Sequence, residues 1–408
     1  MFDCETTSAV AATASGRATH ADILCFSHLR WRFVFQRPQH LMTRFARERR
    51  VFFVEEPLFD AAAPRLDLEI TEGVHVVVPH LPPGDASDGG FATQRQLIRE
   101  LLKEQGSRAP IVWLYTPLAL PLVDNEAESI IIYDCMDELS AFMGASPVLV
   151  KRERDLLQRA HLVFTGGESL YEAKRARHPR VFSFPSSVDV AHFSAARKSQ
   201  PEPADQRSIP HPRLGFCGVI DERMDLALIA SVATRHADWH FVMVGPVVKI
   251  DPASLPTGAN LHYLGLKAYA ELPAYLAGWD VALLPFARNE ATRFISPTKT
   301  PEYLAAALPV VSTAVPDVVR PYGERRLVHI ASSPSEFAAA IGTALNGERD
   351  SWLRDVDQLL ATMSWDRTWS AMNRLIDQAI GQHRATAQAD RVSRPLSTRA
   401  VAAEYGLS

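Results

Sequence analysis

The chain reads as α/β, with two doubly wound domains of similar size facing each other across a cleft. Three observations predict this. Its 408 residues are too many for one ordinary core and about right for two. Short apolar runs alternate with helical patterns through both halves, as expected for parallel sheets covered by helices on both faces. Between the halves lies SAARKSQPEPADQRSIPHP, with four prolines, many polar residues and no periodicity, which reads as a linker.

Taken in order, the first twenty residues carry Asp3 and Glu5 where a signal peptide would carry lysine or arginine, and they lack an apolar centre. Residues 1–20 therefore read as a disordered leader. ILCFS (23–27) is a buried strand, and helical periodicity follows from Gln36 to Arg50. VFFVEE, HVVVP, IVWLY, IIIYD, LVFTG and VFSFP are the further strands of a first domain over 21–195. The linker takes 196–212. RLGFCGV, HFVMVGP, LHYLG, VALLPF, PVVST and RLVHI are the strands of a second domain over 213–363. A closing helix is expected over 364–384 and a polar tail over 385–408.

Composition excludes several functions. The net charge of 43 − 47 = −4 argues against nucleic acid as the main partner. Cys4, Cys25, Cys135 and Cys217 are far apart, with no CxxC and no histidine cluster, so they read as reduced core residues and not as a zinc site. No run of 18 apolar residues exists to span a membrane, and the expected location is cytoplasmic. GxGxxG after the first strand, GxxxxGK[ST], GxSxG and HExxH are all absent. The one DxD, Asp355–Asp357, falls in a helical pattern and reads as a solvated face. No metal ligand set is expected.

Ligands of such sheets bind beyond the carboxyl ends of strands, so chemistry is sought there. In FISPTKTPEYLAAALPVVST, Ser296 and Pro297 read as N-cap and first helical residue after a polar loop. The N–H groups of Thr298 and Lys299, with the Lys299 charge, would suit a pyrophosphate. Glu302, one turn on, could accept hydrogen bonds from ribose hydroxyls; equally, Lys299 and Glu302 could be an ordinary i,i+3 surface pair. In SHLRWRFVFQRPQH, Arg30, Arg32, Arg37 and His40 alternate with Trp31, Phe33 and Phe35. That surface suits an anionic acceptor, with Arg37 at a helix start the sharpest candidate, or else its arginines are solvated or paired with Glu55 and Glu56. Asp134 and Asp137 end a strand at the cleft, where Asp137 could be a general base or could cap a turn. His28 is a second candidate base or a structural histidine. Gly166-Gly167-Glu168-Ser169 reads as a turn with an N-cap at Ser169. RFARERR (44–50) reads as a solvated helix face, with contact to anionic lipid headgroups as the minority reading.

SPTKTPEYLAAALPVVST closely resembles the nucleotide-sugar-binding segment SPxKxxEYLAxGxPVV of GT-B glycosyltransferases of the family-4-like and family-1-like bacterial groups. FSHLRWRFVFQRPQHLMTRFA, IIIYDCMDELSAF, AHLVFTGGESLYEAK and FPSSVDVAHF resemble further segments of a subgroup concerned with polysaccharide and cell-envelope glycans. The likeness spans Ile23 to about Gln382. It implies the GT-B fold, two Rossmann-like domains with a C-terminal helix closing them. It implies transfer of a sugar from a nucleoside-diphosphate sugar, held by the C-terminal domain, to a glycan or lipid-linked acceptor held by the N-terminal domain. By that resemblance Ser296, Pro297, Thr298 and Lys299 would hold pyrophosphate and Glu302 the ribose. Gly218 and Arg223, in GVIDER, would form the first phosphate loop, with Arg223 its cation. Leu266 and Lys267 would meet the base. Arg30, Arg37 and Asp134, read above from their place after strands, would then serve the acceptor, RFARERR could give peripheral membrane contact, and no metal or cofactor would be needed. The chain departs from the pattern at Phe294, where the first glutamate of E-x7-E belongs, and at Val219, Ala307 and Met136. Retention or inversion stays open, as do an epimerase of the same fold and a non-catalytic partner subunit.

Overall fold

The computed structural model describes residues 20–123 and 129–393. The first sheet runs in the order β3-β4-β2-β1-β5-β6-β7-β8. Its strands are β1 (Ile23–Phe26), β2 (Val51–Val54), β3 (Arg65–Thr71), β4 (Val74–His80), β5 (Ile111–Leu114), β6 (Ile131–Cys135), β7 (Leu162–Thr165) and β8 (Val181–Ser183). The second runs β11-β10-β9-β12-β13-β14. Its strands are β9 (Arg213–Cys217), β10 (His240–Val244), β11 (Leu261–Gly265), β12 (Val281–Leu284), β13 (Val310–Thr313) and β14 (His329–Ala331).

The central strands are buried on both sheet faces and mostly apolar, with Asp134 of β6 and Arg213 of β9 as paired exceptions. Ile23 and Cys25 of β1 join one core, and Leu24 and Phe26 join another on the opposite face. The second sheet divides in the same way, with Leu283 in one core and Ala282 and Leu284 in the other. Pairing is parallel throughout the second sheet. In the first, β3 is the exception and pairs antiparallel with β4. Its sequence RLDLEIT is mostly exposed, so it lacks the apolar run that marks the other strands. The connecting turn has positive φ at both Glu72 (52°) and Gly73 (82°), the conformation of a two-residue hairpin loop.

Two stretches differ from expectation. The proline-rich linker is packed: Gln206 is fully buried, accepting from Trp279 Nε1 at 2.9 Å and donating to the Tyr275 carbonyl at 3.1 Å. The closing helix spans Trp365–Ser393, so part of the expected polar tail is helical. Trp365, Met372, Ile376 and Ala379 carry that helix back onto the first domain's core. Residues 1–19 and 394–408, with Cys4 and most of the leader and tail, lie outside the described residues. Cys25, Cys135 and Cys217 are buried and unpaired by disulfide.

Candidate functional site

The loops that follow β1, β6 and β7 face those that follow β9 and β10 across a cleft with two lobes. The larger, about 620 Å³, lies between Trp31, Phe33 and Phe35 of the first domain and Gly245, Leu266 and Tyr269 of the second. The smaller, about 150 Å³, is lined by Asp137, Arg223 and the run Ser296–Lys299. Val34, Phe35, Cys217, Gly218 and Lys299 border both lobes, so Lys299 stands at their junction.

The helix bearing Lys299 spans Lys299–Ala305, with Thr298 at the N-cap position and no side-chain cap. It therefore begins two residues later than Ser296–Pro297 suggested. The shift places Pro301 in the first turn, where N–H groups have no intrahelical partner to lose. Lys299 Nζ lies 2.6 Å from Glu302 Oε2. This is an i,i+3 pair but not a surface one, since the side chains are 14% and 6% exposed. Burial works against the Lys299 charge, and Glu302 more than offsets it, so the ammonium is held above its ordinary pKa. Glu302 borders neither lobe directly.

In the GVIDER loop, Arg223 makes a forked contact with Asp221, with Nη2 to Oδ2 at 2.7 Å and Nε to Oδ1 at 2.9 Å. Asp221 thereby fixes the guanidinium while leaving it in the small lobe. Gly245 has φ 142°, and a Cβ there would lie 1.9 Å from the Gly218 carbonyl oxygen. Only glycine lets the loops after β9 and β10 approach so closely. Leu266 is exposed on the large lobe. The Lys267 ammonium is 2.6 Å from Asp205, so its charge is committed, and the residue lines the large lobe.

On the first domain, Asp137 lies in the small lobe, and burial raises its carboxyl pKa against the lowering effect of Arg223. Its loop is anchored by the next residue: Glu138 is 2.6 Å from Lys174, whose buried ammonium also meets Glu153 at 2.6 Å. The domains touch directly below the cleft. Ser186 Oγ donates to the Ser296 carbonyl at 3.2 Å, and the Ser169 N–H donates to Asp317 Oδ1 at 3.0 Å. The helix Glu168–Lys174 has Gly167 at its N-cap position, so Ser169 is inside it and the carboxylate of Asp317 from the other domain satisfies its N–H.

Comparison with known proteins follows this geometry. Residues 211–347 match the family model described as glycosyl transferases group 1. Sucrose-phosphate synthase from Thermosynechococcus elongatus aligns with TM-score 0.67 at 14% identity, over 89% of this chain and 100% of that one. Anabaena HepE, in complex with UDP and glucose, aligns with TM-score 0.61 at 13% identity, over 88% and 100%. The chain has the GT-B glycosyltransferase fold. A Bacillus subtilis (strain 168) protein provisionally named as the teichuronic acid biosynthesis glycosyltransferase TuaH is 27% identical over 260 residues, 58% of this chain and 64% of that protein. The match thus spans a little under two thirds of that relative.

Within the GT-B frame, the cleft gathers Gly218, Arg223, Leu266, Lys267, Ser296, Pro297, Thr298, Lys299 and Asp137, from both domains. On the acceptor side, Arg30, Arg37 and Asp134 are paired within the first domain, and His28 lies outside the lining of both lobes. Arg37 is buried, with Nη2 2.8 Å from Asp134 Oδ1 and Nη1 donating to the Phe184 carbonyl at 2.7 Å. Asp134 is wholly buried, and Arg37 lines the small lobe with its charge committed to that carboxylate, so the pair braces this wall of the cleft. Arg30 is tied to Glu55 at 2.8 Å and borders neither lobe. His28 also borders neither; burial, with Lys249 next in effect, lowers its pKa to about 4. RFARERR is only partly solvated: Arg47 is exposed and Arg49 is buried. Arg44 and Arg47 meet Asp366 of the closing helix at 3.0 and 2.9 Å, Arg49 lies 3.7 Å from Asp377, and Arg50 lies 2.7 Å from Asp22. Sequence reasoning missed Tyr269, which stacks on Phe35 across the cleft with ring centres 4.5 Å apart. It also missed Lys249 and Phe142. Two single aromatics and a lysine in loops carry no spacing signal; only the fold brings them together.

Proposed function

We propose that the protein transfers a sugar from a nucleoside-diphosphate sugar to a glycan or lipid-linked acceptor in cell-surface polysaccharide synthesis, working at the cytoplasmic face of the membrane. The observation that carries this reading is Lys299, a cation held by Glu302 at the junction of the two lobes. The larger lobe has room for a nucleoside and the smaller for the transferring sugar. The name of the Bacillus relative, and the UDP and glucose in the HepE structure, favour the same class.

Lys299 and Arg223 would offset the charge that develops on the leaving pyrophosphate, which asks for neither metal nor cofactor. Closing the domains would exclude water and limit donor hydrolysis. With inversion, Asp137 would take the acceptor proton. With retention, the donor phosphate would take it. The test is to incubate the protein with UDP-, GDP-, TDP- and ADP-sugars and a bacterial lipid extract, following nucleoside diphosphate and lipid-linked product. One donor should be consumed, and Lys299→Ala should slow it by about 10²-fold or more. Under inversion the rate should fall as pH drops through the raised Asp137 pKa, because only the carboxylate accepts a proton. Conversion of a UDP-sugar to its epimer without acceptor would replace this reading by an epimerase. Nucleotide binding without turnover would replace it by a partner subunit.

A further inference from the structure

The acceptor-side arginines are spent within the first domain. Arg30 pairs with Glu55, Arg32 with Glu69 and Arg37 with Asp134. Positive charge facing that side comes instead from the second domain. Lys249, in the loop after β10, borders neither lobe but is exposed outside them and held at φ 62°, a left-handed conformation that costs a lysine energy. The loop is pinned by the Val248 N–H donating to the Ile220 carbonyl at 3.0 Å, so the lysine is presented and not merely trailing. Its ammonium lies 4.9 Å from the ring centre of Phe142, in the first domain's Asp137 loop. The Arg223 guanidinium lies 5.6 Å from the same ring. Lys249 acts electrostatically on His28 and Asp137, both first-domain groups. Among the described ion pairs none includes Lys249. A ring face restrains a cation weakly compared with a charge-assisted hydrogen bond to phosphate.

We infer that Lys249 is a specificity-determining residue that binds a phosphate group on the acceptor, reaching across from the donor domain beside Asp137. This rests on the glycosyltransferase reading above and deepens it: the acceptor is a phosphate-bearing molecule, and its anion is recognised only when the two domains face each other. Phe142 seats the ammonium until the phosphate replaces the ring. Arg223, already forked onto Asp221, stays with the donor, so the two phosphate-reading cations flank one aromatic side chain and serve different substrates.

The test is a titration of protein already saturated with the nucleoside diphosphate that binds it. One arm uses glucose 6-phosphate, a soluble phosphate; the other uses phosphatidylcholine vesicles containing phosphatidic acid, a lipid phosphate. Glucose and pure phosphatidylcholine are the respective controls. Wild type should bind the phosphate probe of at least one arm, and that arm identifies the source. Lys249→Gln should weaken this binding about tenfold, and Lys249→Arg should largely restore it. Nucleoside diphosphate affinity should be unchanged in both variants. Phosphate binding unaltered in Lys249→Gln, or absent in both arms while the nucleotide still binds, would overturn the inference. If no nucleotide binds, the donor reading has failed separately. The same titrations on nucleotide-free protein then decide the role of Lys249 with the same two outcomes.

Discussion

Arg37 and Asp134 show how the same residue types take different work according to what surrounds them. Both were candidates for acceptor contact, yet Arg37 is 3% exposed and Asp134 is fully buried, and they meet through three contacts of 2.8 to 3.2 Å. Burial opposes the Arg37 charge, and Asp134 outweighs it, so the guanidinium stays charged. Removing one partner strands the other charge in the core. Arg37→Ala or Asp134→Ala should each lower stability by about 3–5 kcal/mol in urea unfolding. The double variant Arg37→Met with Asp134→Leu should lose clearly less than the sum of the two single changes. Single variants that unfold like wild type would return these residues to the list of ligand contacts. Lys299 is also paired with a buried carboxylate, but it borders both lobes, whereas Arg37 lines only the small one.

At the scale of elements, the sequence was most informative where burial is complete. All thirteen apolar runs singled out became strands; the central ones are covered on both faces and so are largely apolar, while the edge strands β8 and β11 are only partly buried. β3 was invisible for the converse reason: an exposed edge strand follows no apolar rule. The Lys299–Ala305 helix starts later than Ser296 and Pro297 suggest, and the Ser296 carbonyl accepts from Ser186 of the other domain. Its end is explained by Ala307, which has φ 60°. The Leu308 N–H donates to the Tyr303 carbonyl at 3.0 Å and the Ala307 N–H to Leu304 at 2.9 Å, closing a Schellman motif whose left-handed position favours glycine. A glycine here, as in the SPxKxxEYLAxGxPVV pattern that the segment resembles, would take this conformation without strain. Ala307→Gly should raise stability by about 1 kcal/mol, seen as a higher urea midpoint at unchanged slope. A loss of stability would mean that the Ala307 methyl packs more usefully than its backbone strain costs.

For the whole molecule, two sheets present their carboxyl ends to one cleft, and the chain is tied across it by Ser186, Asp317, Tyr269 and the returning Trp365 helix. The second domain's lining of the cleft was largely legible in the sequence because many of its residues are close together in one segment, FISPTKTPE, or in one loop, GVIDER. The acceptor half was not, because it depends on which arginines find carboxylates and on loops from different domains meeting. That is a property of the assembled molecule, as the Lys249–Phe142–Arg223 contact illustrates. The central claim, that Lys299 holds a nucleoside diphosphate at the junction of the two lobes, is tested most directly by thermal unfolding. Wild type and Lys299→Ala would be measured with UDP, GDP, TDP and ADP. A ligand at a hundred times its dissociation constant should add about 2.7 kcal/mol to the stability of the wild type. The account predicts such a shift for one base and its loss in Lys299→Ala. No shift with any of the four, or an equal shift in both proteins, would contradict it.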